Sequence, residues 1–162
     1  MLGDCFVDME EQYDKIYRYC YFRLRSRQAA EDITQETFLR YFERYQCTTS
    51  EQPLRCLYTI ARNLCVDEYR RDSREAAWAQ PYPYPEEEKG EGDEQVLTGL
   101  LVRAAVASLE QDEQELLLLR YVNEVPIQSI AQFYGISRFA VYRRLAAVTK
   151  RFQAALRKEG FG

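Results

Sequence analysis

The chain has 162 residues, of which 46% are hydrophobic and 30% charged, with a formal net charge of −4. That composition supports a buried core rather than disorder, and the length suits one ordinary domain or two small ones. Histidine is absent, which removes the side chain most used for acid–base catalysis near neutral pH and the commonest zinc ligand. The five cysteines, Cys5, Cys20, Cys47, Cys56 and Cys65, are odd in number and contain no C-x-x-C pair. They argue against a secreted disulfide framework or a zinc knuckle and for reduced thiols in the cytosol. No apolar run approaches the ~18 residues of a membrane span, and the N-terminus lacks the basic-then-apolar order of a signal peptide. A cytoplasmic, non-catalytic protein without a metal or other cofactor and without membrane insertion is expected.

In chain order, Tyr13, Tyr17, Cys20 and Leu24 recur at helical spacing with Ile16 and Tyr21 beside them, predicting a first amphipathic helix. Over Ala30 to Gln46, a 3.6-residue period gathers Phe38, Tyr41, Phe42 and Tyr45 on one side. It places Asp32, Gln35, Glu36, Leu39 and Glu43 on the other. This acidic face with a leucine in its middle reads either as a solvated surface or as a docking surface for a basic partner. Pro53 fits the first position of a third helix, with Ser50 or Thr49 as its cap. Leu57, Ala61, Leu64 and Glu68 then repeat at helical spacing, while Arg55, Arg62, Asn63, Tyr69 and Arg70 fall largely elsewhere. Such a basic and aromatic surface suits single-stranded nucleic acid, or is simply a solvated helix with snorkelling arginines.

Charge then shifts sharply along the chain. Residues 76–95 hold six acids against one lysine, with Pro81, Pro83 and Pro85 at alternate positions. No helix continues through such a run, which reads as a solvated linker or as an acidic arm for a basic channel on a partner. Residues 96–162 reverse the balance, and Ile136 to Lys158 holds seven bases and no acid. Phosphate contact depends on the charge of the touching face rather than of the whole chain.

The C-terminal part opens with an apolar stripe of Leu97, Leu100, Leu101, Ala104 and Ala107. Asp112 and Glu115 have the spacing of a capping box for a helix over Leu116 to Tyr121. A short helix carrying Ile130, Ala131 and Tyr134 then ends at Gly135, which suits a left-handed turn. Ile136 plugs the turn, Ser137 caps the next helix, and Val141, Leu145, Val148, Phe152 and Leu156 form its apolar stripe. Phe139, Arg143, Ala146 and Lys150 fall opposite. The pattern is that of a helix-turn-helix whose second helix enters the major groove; the plainer reading is a helical hairpin.

Two segments together resemble the extracytoplasmic-function (ECF) group of bacterial sigma factors. Ala30 to Arg40, AEDITQETFLR, is similar to the family's AEDLVQETFLR, and Tyr58 to Arg71, YTIARNLCVDEYRR, resembles its IARNLALDYLRR helix. The stretch from Ser108 to Tyr121 and the helix-turn-helix resemble the family's second conserved domain. Three departures stand out. Cys56 occupies a usual tryptophan position, Ser129 a common glutamate position, and Ala146, Ala147 and Val148 positions where arginine is frequent.

The resemblance implies an all-α fold of two small helical domains joined by a flexible acidic linker, the second domain containing the helix-turn-helix. The divisions would be residues 1–75, 76–95 and 96–162. It implies that Asp32, Gln35, Glu36 and Leu39, with Glu43 on the same acidic face, dock on core RNA polymerase. Tyr58, Arg62 and Asn63, with the loop 46–52, would handle a single-stranded −10 promoter element, and Arg70 continues that basic surface. Ser137, Arg138, Phe139, Tyr142, Arg143, Arg144 and Lys150 would read duplex −35 DNA. An anti-sigma factor is implied as a further partner. The expected function is promoter recognition and strand opening on behalf of the polymerase, and the rival is a stand-alone helix-turn-helix regulator. A sigma-like protein that docks without initiating is a further alternative. An enzyme would have only Glu31, Asp32 and Glu36 to work with, and they lack a histidine or phosphate loop beside them.

Overall fold

Acidic residues open the first helix and a basic one closes it, an order that complements the helix dipole. Helix α1 runs Met9–Leu24, with Glu10 and Glu11 in its first turn and Arg23 in its last. The computed structural model describes residues 9–45, 52–75, 102–158 and 160, all helical or in connecting turns, with no strand among them. Arg25 adopts a left-handed φ of 54° that ends α1. The Ser26 hydroxyl then accepts the Ala29 N–H at 3.2 Å and starts α2, Arg27–Tyr45. Helix α3 spans Pro53–Glu75, and Pro53 takes the predicted first position, where a missing N–H costs nothing. The predicted caps Thr49 and Ser50, like the loop 46–51, lie outside the described residues.

The three helices pack on one another, so each must bury an arc wide enough for two neighbours. On α1 that arc is Gln12, Ile16, Tyr19, Cys20 and Leu24; Tyr17 and Tyr21, expected in the stripe, are half-buried at its edge and stack with ring centroids 6.2 Å apart. On α2 the most deeply buried positions are Ala30, Thr34 and Thr37. Their small side chains admit the neighbouring helices, and the threonine hydroxyls donate to Ala30 O at 2.6 Å and Ile33 O at 2.7 Å, which satisfies them inside the core. Phe38 and Tyr41 are buried as expected, but Phe42 is 45% exposed. Cys20 and Cys65 are buried, and neither is in a disulfide. Hydrogen bonding to Cys65 and then to Thr34, with the nearby Arg23 charge, holds the Cys20 thiol below its ordinary value while burial pulls the other way.

The chain divides into two compact units, Met1–Pro85 and Glu86–Gly162, and the predicted linker 76–95 lies outside the described residues. The first described residues of the second unit, 102–107, are helical. Leu97, Leu100 and Leu101 of the predicted stripe are outside the description. Of the rest, Ala104 is half-buried and Ala107 exposed, whereas Ala105 and Leu109, outside the predicted stripe, are buried. Helix α4, Gln111–Leu117, starts earlier than the capping pattern predicted. The Glu110 N–H donates to Glu113 Oε1 at 3.1 Å, so the box sits two residues upstream, and Glu115 is buried instead of capping. A π turn, Leu118–Val122, follows, closed by Asn123 N–H to Leu118 O at 2.9 Å.

Helices α5, Ile127–Tyr134, and α6, Arg138–Lys158, complete this unit. Gly135 has a φ of 67°. The Ile136 N–H reaches Ala131 O at 3.0 Å and the Gly135 N–H reaches Gln132 O at 3.3 Å, the paired bonds of a Schellman turn. Ser137 Oγ accepts the Ala140 N–H at 3.1 Å, the predicted cap. Val141, Leu145 and Val148 are buried beneath Leu116, Leu119, Ile127, Ile130 and Phe133. Two polar ties hold α4 to the helices that follow. Tyr134 Oη donates to Glu115 Oε1 at 2.6 Å, and Arg151 Nη1 meets both Glu113 oxygens at 3.1 Å.

Candidate functional site

The outer side of α2 exposes Asp32, Gln35, Leu39 and Glu43, with Glu36 half-buried. The helical period that carries Thr34, Thr37 and Tyr41 inward carries these residues outward. Leu39 is 58% exposed, and Phe42, one turn further along, is open beside it. An apolar pair framed by carboxylates is the form expected of a contact surface rather than of a wholly solvated face. The face is not purely acidic. Arg40 Nε lies 2.9 Å from Glu36 Oε1, so one of the predicted carboxylates is already paired.

A groove of about 630 Å³ runs between α2 and α3. Asp32, Ile33, Glu36 and Arg40 form one wall, and Leu64, Asp67, Glu68, Arg70 and Arg71 the other. Arg70, expected to serve nucleic acid, thus shares a groove with Asp32 and Glu36 of the docking face. Arg71 is drawn toward Glu68 by an ion pair on its own helix.

The predicted −10 residues separate by depth. Asn63 is exposed and Arg62 half-buried on α3. Tyr58 is corrected: it is 2% exposed, with its ring edge-on to Tyr19 at 5.5 Å and 86°. A side chain so enclosed cannot stack on a base. The helical spacing through Leu57, Ala61, Leu64 and Glu68 predicts a single narrow stripe on α3. A helix wedged against both α1 and α2 buries more of its circumference, adding Tyr58, Ile60 and Cys65. Tyr69, 57% exposed, is the aromatic that α3 offers to solvent.

The second unit concentrates its cations on α6. Ser137, Arg138, Phe139, Tyr142, Arg143, Arg144 and Lys150 are all exposed, while Val141, Leu145 and Val148 are buried. All seven predicted residues therefore lie on accessible surface, five of them in the first two turns. Arg151 is held by Glu113 and is less available to a phosphate. A smaller hollow of about 420 Å³ sits beside this surface, between Tyr121 of the π turn and Tyr142, Ala146 and Lys150 of α6. Tyr121 and Val122 are exposed on a π turn that the helical spacing over 116–121 does not announce. Among the described residues, no group of three or more cysteine, aspartate or glutamate side chains could hold a metal ion. No described helix is long and apolar enough to cross a membrane.

Comparison with known proteins follows the same division. Residues 9–75 match the family Sigma-70 region 2, and residues 99–152 match Sigma-70, region 4. The ECF RNA polymerase sigma factor SigW of Bacillus subtilis is 31% identical over 176 residues, covering 96% of this chain and 89% of that protein. BldN of Streptomyces coelicolor, also an ECF RNA polymerase sigma factor, is 31% identical over 146 residues. That match covers 86% of this chain, which spans only 55% of BldN. Among solved structures, the sigma factor RpoE from Bartonella quintana, crystallised in complex with the anti-sigma factor NepR, aligns with a TM-score of 0.63. It is 18% identical, with 90% of this chain and 91% of that one covered, a likeness of fold. With both regions present in order and a relative matched over nearly its full length, the chain belongs to the ECF group of RNA polymerase sigma factors.

Proposed function

We propose that the two halves of this sigma factor divide promoter recognition between them. Asp32, Gln35, Glu36, Leu39 and Glu43 of α2 dock on core RNA polymerase, joined by Phe42, which the helical period groups with Phe38 and Tyr41. Arg62, Asn63 and Arg70 of α3 face the −10 element as it opens. Helix α6 enters the major groove at the −35 element with Ser137, Arg138, Phe139, Tyr142, Arg143, Arg144 and Lys150. Residues 1–75 and 96–162 act as the two working domains, with 76–95 as the connector between them. The polymerase supplies the chemistry; the chain itself is non-enzymatic and works in the cytoplasm. Exposed polymerase and DNA faces also suit an inhibitory anti-sigma partner, such as the one crystallised with the Bartonella relative.

The observation that carries this reading is the surface of α6. Seven accessible side chains over Ser137 to Lys150, in a segment without one acid, project from a helix locked by a Schellman turn. That geometry serves a duplex, and phosphate contacts from its arginines position it. The rival, a stand-alone regulator, leaves the α2 face unexplained.

The test is the double reversal Asp32→Lys with Glu36→Lys. The Glu36–Arg40 pair it breaks is an exposed i,i+4 pair worth about 0.3–0.5 kcal/mol, so helicity should persist. Two reversed charges at about 1.5 kcal/mol or more each should weaken binding to core polymerase by about 100-fold or more. Unchanged affinity in a titration against core enzyme would refute the docking assignment.

A further inference from the structure

We propose that Phe139 is a specificity-determining residue, reading thymine in the −35 duplex through its 5-methyl group. The inference rests on α6 being the −35 helix and goes on to name the base chemistry that one of its residues recognises.

Phe139 is 79% exposed, more than any other large apolar side chain among the described residues. It is the second residue of α6, two positions after the Ser137 cap, in the turn that approaches base edges most closely in this motif. The core of the unit does not use it, since Val141, Leu145 and Val148 carry the buried side of the helix. Tyr142, 58% exposed, lies three residues on and shares its side of the helix, with Arg143 four residues on.

The ring has no donor, acceptor or charge, so it gains nothing from a phosphate and cannot satisfy the polar edge of guanine, adenine or cytosine. The major groove offers one apolar feature to such a group, the methyl of thymine, and phenylalanine is among the side chains suited to it. Arg138 and Arg144 stand on either side of this aromatic pair in sequence and are exposed, placed to hold phosphates while the ring faces the bases. A phenylalanine left in water by the fold is thereby covered only when the correct duplex arrives.

The experiment uses holoenzyme reconstituted from the full chain and core polymerase, on promoters mapped from transcript start sites after induced expression of the chain. Each −35 thymine is replaced in turn by deoxyuridine, which removes the methyl and leaves every hydrogen-bonding group in place. The expected result is a loss of affinity of about fourfold at one or two positions, the scale of one buried methyl group. Phe139→Ala, a surface change that leaves the fold intact, should bind thymine and uracil versions of those positions alike. It should also keep the salt dependence of the wild type, because no phosphate contact is lost.

The idea fails if uracil changes wild-type affinity by less than about 1.5-fold at every −35 thymine, or if the element has no thymine. It fails equally if Phe139→Ala still distinguishes the two bases. In those cases the broader assignment stands as long as scrambling the −35 element weakens binding. Scrambling without effect would overturn both.

Discussion

Tyr134→Phe removes one oxygen atom and tests how the helix-turn-helix is held to its support. The lost hydroxyl donates to Glu115 Oε1 at 2.6 Å, and Glu115 is 3% exposed, so water cannot simply take its place. The bond joins α4 to the last residue of α5, immediately before Gly135. A hydrogen bond to a charged group is worth about 1.5–3 kcal/mol, with the penalty falling on the buried partner left behind. Both residues have further interactions, so the lower part of that range applies, about 1.5–2 kcal/mol. Where amide exchange proceeds through opening of this unit, protection across residues 127–145 should fall by about 10- to 30-fold. Exchange read peptide by peptide in the mass spectrometer measures this without separating the two units. Peptides of α1 to α3 serve as internal controls. Glu115→Gln keeps an acceptor oxygen and should cost less, and the double variant should cost less than the two singles combined, because the residues are in contact. Exchange over α5 and α6 altered by less than about twofold would refute the argument that this bond is a buried, charge-assisted tie.

Two further outcomes follow from the same packing. Gly135→Ala places a side chain at a φ of 67° with nothing within 4 Å of the new Cβ. The cost should therefore be backbone strain alone, about 1–2 kcal/mol, measured by denaturant unfolding; a larger loss would point to a clash the geometry does not contain. Tyr58→Ala should destabilise the first unit by about 3–5 kcal/mol, whereas Tyr69→Ala, at an exposed position, should stay within about 0.5 kcal/mol. Equal losses at both positions would undo the correction that moves Tyr58 from the DNA surface to the core.

Local chemistry made the second unit legible. Gly135, Ser137 and the stripe of Val141, Leu145 and Val148 specify their turn, cap and buried side within a window of about four helical turns, and α6 appears where those signals put it. The acidic side of α2 was equally readable, because charge and period agree there. Failures came where an element answers to more than one neighbour. Tyr58, Tyr19 and Gln12 are buried because each helix of the first unit touches two others, which widens the hidden arc beyond a single stripe. Thr34 and Thr37 look like surface residues in a sequence, yet each hydroxyl is satisfied by its own helix and the small side chain lets another backbone approach. The misplaced capping box has a different origin. Glu110, Asp112, Glu113 and Glu115 offer two registers of the same spacing, and burial of Glu115 against Tyr134, nineteen residues away, decides between them. That Arg70, proposed for the −10 surface, also lines a groove with Asp32 and Glu36 was not legible, since sequence alone does not say that α2 and α3 leave a shared groove.

The connector Gly135-Ile136-Ser137 is tied at both ends, by the N–H groups of Gly135 and Ile136 to α5 and by the Ser137 cap to α6. Little ordering is left to be done when a duplex meets α6, so the conformational entropy of assembling the reading head has already been spent during folding. Association of this module with DNA should accordingly show the heat-capacity change of the contact area alone, without the larger signature of a segment that folds as it binds.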